Sequence, residues 1–152
     1  MSEILLTLHI IAAGTWIGAN VVQFVTANRV GAQGGAAAAS WHNNVAWWGK
    51  VLYSPAAVVL LATGVALVLD SSFYEFSNAF VSIGFLAVIA GAVIGITKVA
   101  KGSEKAGAAF ATGDDAGGVA AYKQQVMPWA VLDTLILVVA VLAMVGKWGA
   151  GS

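Results

Sequence analysis

The sequence predicts an all-α fold, a polytopic membrane protein with four transmembrane helices in an antiparallel bundle. Hydrophobic residues make up 60% of the 152 residues and charged residues only 9%, against roughly 25% charged residues in a soluble domain. Four apolar segments, at approximately residues 4–26, 50–69, 79–100 and 128–146, each approach the ~20 residues that cross a hydrocarbon core. Backbone groups in lipid must be satisfied within a segment, so all four are predicted to be helices of one domain, residues 1–152.

The first segment is the predicted centre of the bundle. At 100° per residue, one narrow stripe along this helix collects a histidine, a tryptophan, an asparagine and a glutamine: His9, Trp16, Asn20 and Gln23. Gly14 and Gly18 form a GxxxG pair on the opposite side, a pattern that permits close packing of helices. We therefore expect this helix to contact protein, with the glycine side facing another neighbour in this chain or in a partner.

The other three segments carry weaker signals. Pro55 predicts a kink in the second helix, because proline has no N–H to donate. Gly91 and Gly95 form a second GxxxG pair in the third helix, which suggests close helix packing. Pro128 suits the first turn of the last span. Residues 101–127 are expected to form a cytoplasmic helical connection that continues the third helix, turns near Gly113 and returns as a short helix.

The distribution of charge predicts the orientation in the membrane. The first and third connections carry nearly all of the basic residues, whereas the middle connection carries only Asp70 and Glu75. The positive-inside rule then places the first and third connections in the cytoplasm and both termini outside. The predicted location is the bacterial inner (plasma) membrane, with the lipid bilayer as the first partner. The formal net charge of zero offers no electrostatic footprint for nucleic acid.

His9 is the first candidate for chemistry, because an ionisable group within a span is costly and by default a functional suspect. As a neutral imidazole it can bind haem iron or another metal; alternatively it hydrogen-bonds to a neighbour or to interfacial water. His42, the other histidine, is predicted to lie about 30 Å deeper along the membrane normal. We expect His42 to be an interfacial residue and not a second ligand of the same haem.

Asp133 is the second candidate. Its predicted depth matches that of Asn20 and Gln23, so it is expected to join them in a polar intramembrane cluster or to pair with Lys98. Its role is either a proton or ion relay or a structural hydrogen bond between helices, typically worth about 0.6–2 kcal/mol. Trp16, at mid-span, either stacks on a flat cofactor or fills space in the core.

The spacing of His9, Trp16 and Gly18 resembles the opening helix, H-x6-W-x-G, of a group of small bacterial four-helix membrane proteins. That group includes the copper-resistance D domain and uncharacterised predicted integral membrane proteins. The second span resembles theirs in Pro55 and the Thr63-Gly64 pair. A more distant resemblance is to the small membrane protoporphyrinogen oxidase, whose first-helix histidine is associated with haem. This resemblance implies haem b or metal binding at His9.

Three functions remain as expectations. The first is a non-enzymatic accessory subunit of a larger membrane, possibly redox, complex, whose partners are other membrane subunits or a second copy of the chain. The second is a b-type haem protein that uses His9, with Trp16 beside the cofactor. The third, copper uptake, rests on family resemblance alone; the chain has no cysteine and only three methionines, so soft ligands for Cu(I) are scarce.

Overall fold

The computed structural model describes residues 2–150, and these residues contain helices and turns but no β-strand. Four long helices run through it: α1 (Ser2–Gly31), α2 (Gly35–Leu69), α3 (Ala79–Ala111) and α4 (Asp115–Val145). Each is long and apolar enough to cross a membrane. The predicted all-α class and its four apolar helices are therefore confirmed, and the helices indicate a multi-pass membrane protein.

All four helices are longer than the predicted spans. The 35 residues of α2 measure about 50 Å, which exceeds the ~30 Å of a hydrocarbon core. The additional turns of α2, α3 and α4 lie together at one end of the molecule, which we call the connection end (residues 27–48 and 101–127). There the first part of α2 packs against the last part of α3, around the buried side chains of Ala38, Ala106 and Phe110.

Glycines and aspartates form the turns at the connection end. Gly34 and Gly35 have φ angles of 66° and 51°, in the left-handed region that favours glycine. The carboxylate of Asp115 accepts a hydrogen bond of 2.8 Å from the backbone N–H of Gly35, which joins the start of α4 to the start of α2. The carboxylate of Asp114 caps α4 by accepting a hydrogen bond of 2.8 Å from the backbone N–H of Gly117.

The remaining length of the helices encloses a second core. Here α1 packs mainly against the later part of α2, and the first part of α3 packs mainly against the later part of α4. The buried side chains between them are mostly apolar: Ala12, Trp16, Ala56, Ala57, Leu60, Val88 and Leu137. The two cores lie at different levels along the same helices, and the candidate sites lie in or beside them.

The helices change to π-helical geometry where the two cores meet. The π segments are Gly49–Tyr53 in α2, Gly95–Ala100 in α3 and Tyr122–Val126 in α4, and the segment of α3 contacts both others. Two of them end two residues before Pro55 and Pro128, and the helix continues through each proline. The short helix predicted before Pro128 is present as Asp115–Ala121, capped by Asp114, and it continues without a break into the last span as the first part of α4.

Candidate functional site

The polar stripe of α1 faces the interior of the bundle. Trp16, Asn20 and Gln23 are 2%, 4% and 7% exposed, and His9 is half-buried. On the other side of the helix, a Cβ atom added at Gly14 or Gly18 would have no heavy atom of the described chain within 4 Å. Among residues 2–150, the α1 surface at Gly14 and Gly18 thus has no neighbour, whereas the polar stripe is packed.

Asp133, on α4, lies against this stripe and is 6% exposed. Its Oδ2 atom accepts two hydrogen bonds, from the indole Nε1 of Trp16 at 3.0 Å and from the amide Nδ2 of Asn20 at 2.8 Å. The same amide lies 3.0 Å from the hydroxyl of Thr134. The structure thus brings Asp133 and Asn20 together, and Trp16 is a hydrogen-bond donor in addition to filling core space.

Tyr53 completes the polar cluster and was not identified from the sequence. Its hydroxyl donates to the Oδ1 atom of Asn20 at 2.9 Å and accepts a hydrogen bond from the side-chain amide of Gln23. Gln23 therefore reaches the cluster through Tyr53. A tyrosine within an apolar segment needs a partner for its hydroxyl, and that requirement is the signal that could have identified it.

Lys98 does not belong to this cluster, so its predicted pairing with Asp133 was wrong. The side chain is exposed, and its ammonium lies 5.0 Å from the ring centroid of Trp129, in a cation–π contact. Lys98 belongs to the π segment of α3, and helical periodicity does not predict where such a turn directs its side chains.

Gly91 provides the space that Asp133 occupies. A Cβ atom at Gly91 would lie 2.6 Å from Oδ1 of Asp133 and 2.9 Å from Cζ2 of Trp16, whereas one at Gly95 would have no described atom within 4 Å. The predicted close packing thus applies to Gly91 and was wrong for Gly95. Beside this contact lies a cavity of about 50 Å³, the Asp133 cavity, whose lining includes Asn20, Tyr53 and Asp133.

His9 is held by one hydrogen bond across the bundle. Its Nδ1 atom lies 2.8 Å from the hydroxyl oxygen of Thr63 on α2. That hydroxyl lies 2.6 Å from the backbone carbonyl of Val59 and donates its only proton there. Thr63 must therefore accept from His9, so Nδ1 carries the imidazole proton and Nε2 carries the free lone pair. Among residues 2–150, Thr63 is the only side chain that hydrogen-bonds to the imidazole.

A second, larger cavity of about 620 Å³, the His9 cavity, lies between all four helices on the side away from the connection end. Its wall is largely apolar and includes Leu6, Ile17, Leu60, Phe85, Val88, Leu137 and Met144. Glu3, Asp70 and Lys147 also border it. His9 is the only histidine on this wall, and Gly64 opposite its ring adds no side chain: a Cβ there would lie 3.6 Å from Cε1 of His9.

His42 is not the interfacial residue that the sequence predicted. It is 2% exposed, and its ring is stacked on Phe110 with ring centroids 5.5 Å apart and planes at 6°. Burial lowers the pKa of its imidazole below the usual value. His42 and Thr63, the partner of His9, lie on one continuous helix about 30 Å apart at about 1.5 Å per residue. The two histidines therefore cannot bind one haem.

The comparisons add no family. Protein-family models, curated proteins and solved structures were each compared with this chain, and none matches. Within the described residues, no three His, Cys, Asp or Glu side chains come close enough together to hold a metal ion. The family resemblances based on His9, Trp16 and Gly18 therefore stay predictions. The function has to be inferred from the two cavities.

Proposed function

We propose that this chain is a b-type haem-binding membrane protein, in which His9 would bind the iron and the His9 cavity would hold the macrocycle. The observation that carries the proposal is the hydrogen bond between Nδ1 of His9 and Thr63, which leaves the lone pair of the ring on Nε2. Thr63 accepts the proton of Nδ1 because its own hydroxyl proton is donated to Val59. Haem-ligating histidines use such a neutral imidazole, and a hydrogen bond at the other ring nitrogen fixes the tautomer and the orientation of the ring.

The residues around His9 suit this ligand. The cavity of about 620 Å³ lies in the size range of cofactor sites, and its apolar wall matches an apolar ring. Glu3, Asp70 and Lys147 border the same space, and charged side chains keep that end hydrated, as the two carboxylates of haem require. Trp16 was the other predicted cofactor residue, but its indole N–H donates a hydrogen bond to Asp133.

Each residue of the site has a separate task in this proposal. His9 would bind the iron, Thr63 would keep the ring in one tautomer, and the apolar wall would exclude water from the bound group. When bound, haem b would supply one-electron redox chemistry or a site for a small diatomic ligand. The chain itself contributes the orientation of the imidazole and a low-dielectric surrounding, which are two of the means by which proteins tune haem iron.

The test is an absorption spectrum of the protein purified in mild detergent from haem-replete cells. We expect a Soret band in the wild type, loss of that band in His9→Ala, and its recovery when imidazole is added to that variant. Thr63→Val should retain the band but bind haem about 10–100-fold more weakly, the usual cost of losing a hydrogen bond to a metal ligand.

The matched control is His42→Gln, which removes the other histidine and should leave the band unchanged. Wild-type protein without a Soret band, or a band that persists unchanged in His9→Ala, would contradict the proposal. A band that is lost equally in both variants would show that the protein requires its fold for haem and does not use His9 specifically.

A second candidate function is assembly with other membrane subunits or with a second copy of the chain, favoured by the open side of α1 at Gly14 and Gly18. Paired small residues let helix backbones approach closely in lipid. If this surface binds a partner, Gly14→Ile with Gly18→Ile should convert a complex extracted in mild detergent into a monomer. A monomeric wild type in the same extract would contradict it. Copper uptake stays an expectation from resemblance alone.

A further inference from the structure

We propose that Asp133 is a proton-binding site within the bundle, a neutral carboxylic acid that exchanges its proton with water at the connection end. The proposal rests on the hydrogen bonds of the two carboxyl oxygens and on the cavities beside them. It does not depend on haem or on His9, because no hydrogen bond joins the Asp133 cluster to His9 among the described residues.

The two oxygens of Asp133 have different surroundings. Oδ2 accepts hydrogen bonds from Trp16 and Asn20. Oδ1 is fully buried and has no hydrogen-bond partner among residues 2–150. It points towards Gly91, where an added Cβ would lie 2.6 Å away, and the carboxyl borders the Asp133 cavity of about 50 Å³. A proton on Oδ1 would give this oxygen a donor that can reach water in the cavity.

Among the described residues, no positively charged group pairs with a carboxylate at this position. The groups that face Asp133 are neutral: the indole and amide of α1, the phenol of Tyr53 on α2, and Thr134 on its own helix. The nearest cation along α3, Lys98, lies on the ring of Trp129. An uncompensated charge in a low-dielectric interior is expensive, and such a group neutralises by taking up a proton.

A metal cation fits this cavity less well than a proton with water. Hard cations need several oxygen ligands at once, and Oδ1 is the single buried side-chain oxygen on the cavity wall without a partner in the described chain. The hydroxyls of Ser54 and Thr134 already donate to backbone carbonyls. A volume of about 50 Å³ has room for a few water molecules, each of which needs roughly 10–15 Å³.

The polar side chains lead from Asp133 towards the connection end. Hydrogen bonds join Asp133 to Asn20, Asn20 to Tyr53, and Tyr53 to Gln23. Gln23 also lines a small cavity of about 10 Å³ beside His42, which is close to the volume of one water molecule. His42 and Ser103 also line this small cavity. The Nδ1 atom of His42 and the hydroxyl of Ser103 are buried and have no hydrogen-bond partner among the described residues. A water molecule bound in the cavity would satisfy both atoms.

In the opposite direction, towards the His9 cavity, the neighbouring side chains are apolar. Trp16 packs there with Leu60, Val88 and Leu137, which offer no polar atom to a proton. A proton from water at the connection end can therefore reach Oδ1 through the cavity waters, and it leaves by the same route. The only covalent change is the formation or loss of the O–H bond on Asp133, which needs no further reactant.

Infrared spectroscopy of the protein in lipid nanodiscs tests the proposal. We expect a C=O band of a protonated carboxyl at neutral pH in the wild type, loss of that band in Asp133→Asn, and a shift of the wild-type band on transfer to D₂O. Gln23→Leu should lengthen the half-time of that shift. Val22→Leu, the neighbouring position on the exposed side of the same helix, is the matched control and should leave the half-time unchanged.

A second measurement needs no substitution. Dicyclohexylcarbodiimide reacts with protonated carboxyls in apolar surroundings, and mass spectrometry should locate its adduct on Asp133 and not on the exposed Asp114. Absence of both the band and the adduct would show that Asp133 is ionised and would overturn the proposal. A band that never shifts in D₂O would show that the proton of Asp133 does not exchange with water, and would overturn that part of the proposal. The same spectra of His9→Ala separate this outcome from failure of the haem proposal.

Discussion

Replacing Gly91 by alanine tests the packing of the polar cluster most directly. The added Cβ would lie 2.6 Å from Oδ1 of Asp133 and 2.9 Å from Cζ2 of Trp16. Neither neighbour is the free end of a flexible side chain, since both are buried and hydrogen-bonded to each other. One helix or the cluster must therefore shift, and overpacking of this kind typically costs about 1–3 kcal/mol.

The effect of alanine itself has to be separated from this contact. Alanine is favoured over glycine within helices by roughly 0.5–1 kcal/mol, which acts in the opposite direction. Gly14→Ala and Gly95→Ala measure this helix preference for alanine alone, because a Cβ at either position would have no described atom within 4 Å. The free energy of unfolding of Gly91→Ala should therefore lie about 1–3 kcal/mol below that of the Gly14→Ala control.

Denaturant unfolding in mixed micelles, or steric trapping in bicelles, measures the three variants under the same conditions. Gly91→Ala should also weaken the protonated-carboxyl band or move it, because the new methyl group occupies the space that Oδ1 faces. Equal stabilities of Gly91→Ala and Gly14→Ala, within about 0.5 kcal/mol, would refute the packing of Asp133 and Trp16 against this glycine.

Three further predictions concern the connection end and the orientation. Asp115→Ala removes the acceptor for the N–H of Gly35 and should lower the free energy of unfolding by about 1 kcal/mol, whereas Asp115→Asn, which keeps an acceptor oxygen, should cost less in the same melt. Burial lowers the pKa of His42, which lies outside the predicted spans, so the folded state binds its proton more weakly than the unfolded state. Stability should be fully present above about pH 6.5 and fall as the pH drops below it, and His42→Gln should reduce this slope in thermal melts; an equal slope in both would contradict the reasoning. In this cysteine-free chain, Ser72→Cys should react with an impermeant thiol reagent in intact cells and Thr112→Cys only after permeabilisation; the reverse pattern would refute the predicted orientation.

Much of the candidate site followed from helical periodicity. The stripe on α1 predicted which side of the helix is packed, because residues three and four positions apart lie on one face. The depth of Asp133 within its apolar segment predicted contact with Asn20, since helices in a bundle share the same membrane depth. Lys98 followed the same reasoning and was wrong, because depth does not determine the direction of a long, flexible side chain that can reach an aromatic ring.

Periodicity gives the face of a helix and not its partner. Nothing in the sequence pairs Tyr53 with Asn20 or Thr63 with His9, since these contacts join positions on separate helices. The burial of His42 depends on Phe110, more than 60 positions further along the chain, and a histidine beside tryptophans in the sequence looks interfacial until the connection-end helices pack around it.

The sequence by itself determined four apolar helices and the polar face of the first, because apolar composition, segment length and the 3.6-residue period are local properties of the chain. Only the tertiary structure decided which hydrogen-bonding atoms meet, which of four helix glycines is packed, and where cavities remain. Gly14, Gly18, Gly91 and Gly95 form the same motif in sequence, yet only Gly91 lies against another side chain. The difference arises because a glycine has no side chain of its own, so its role depends on which helix lies opposite.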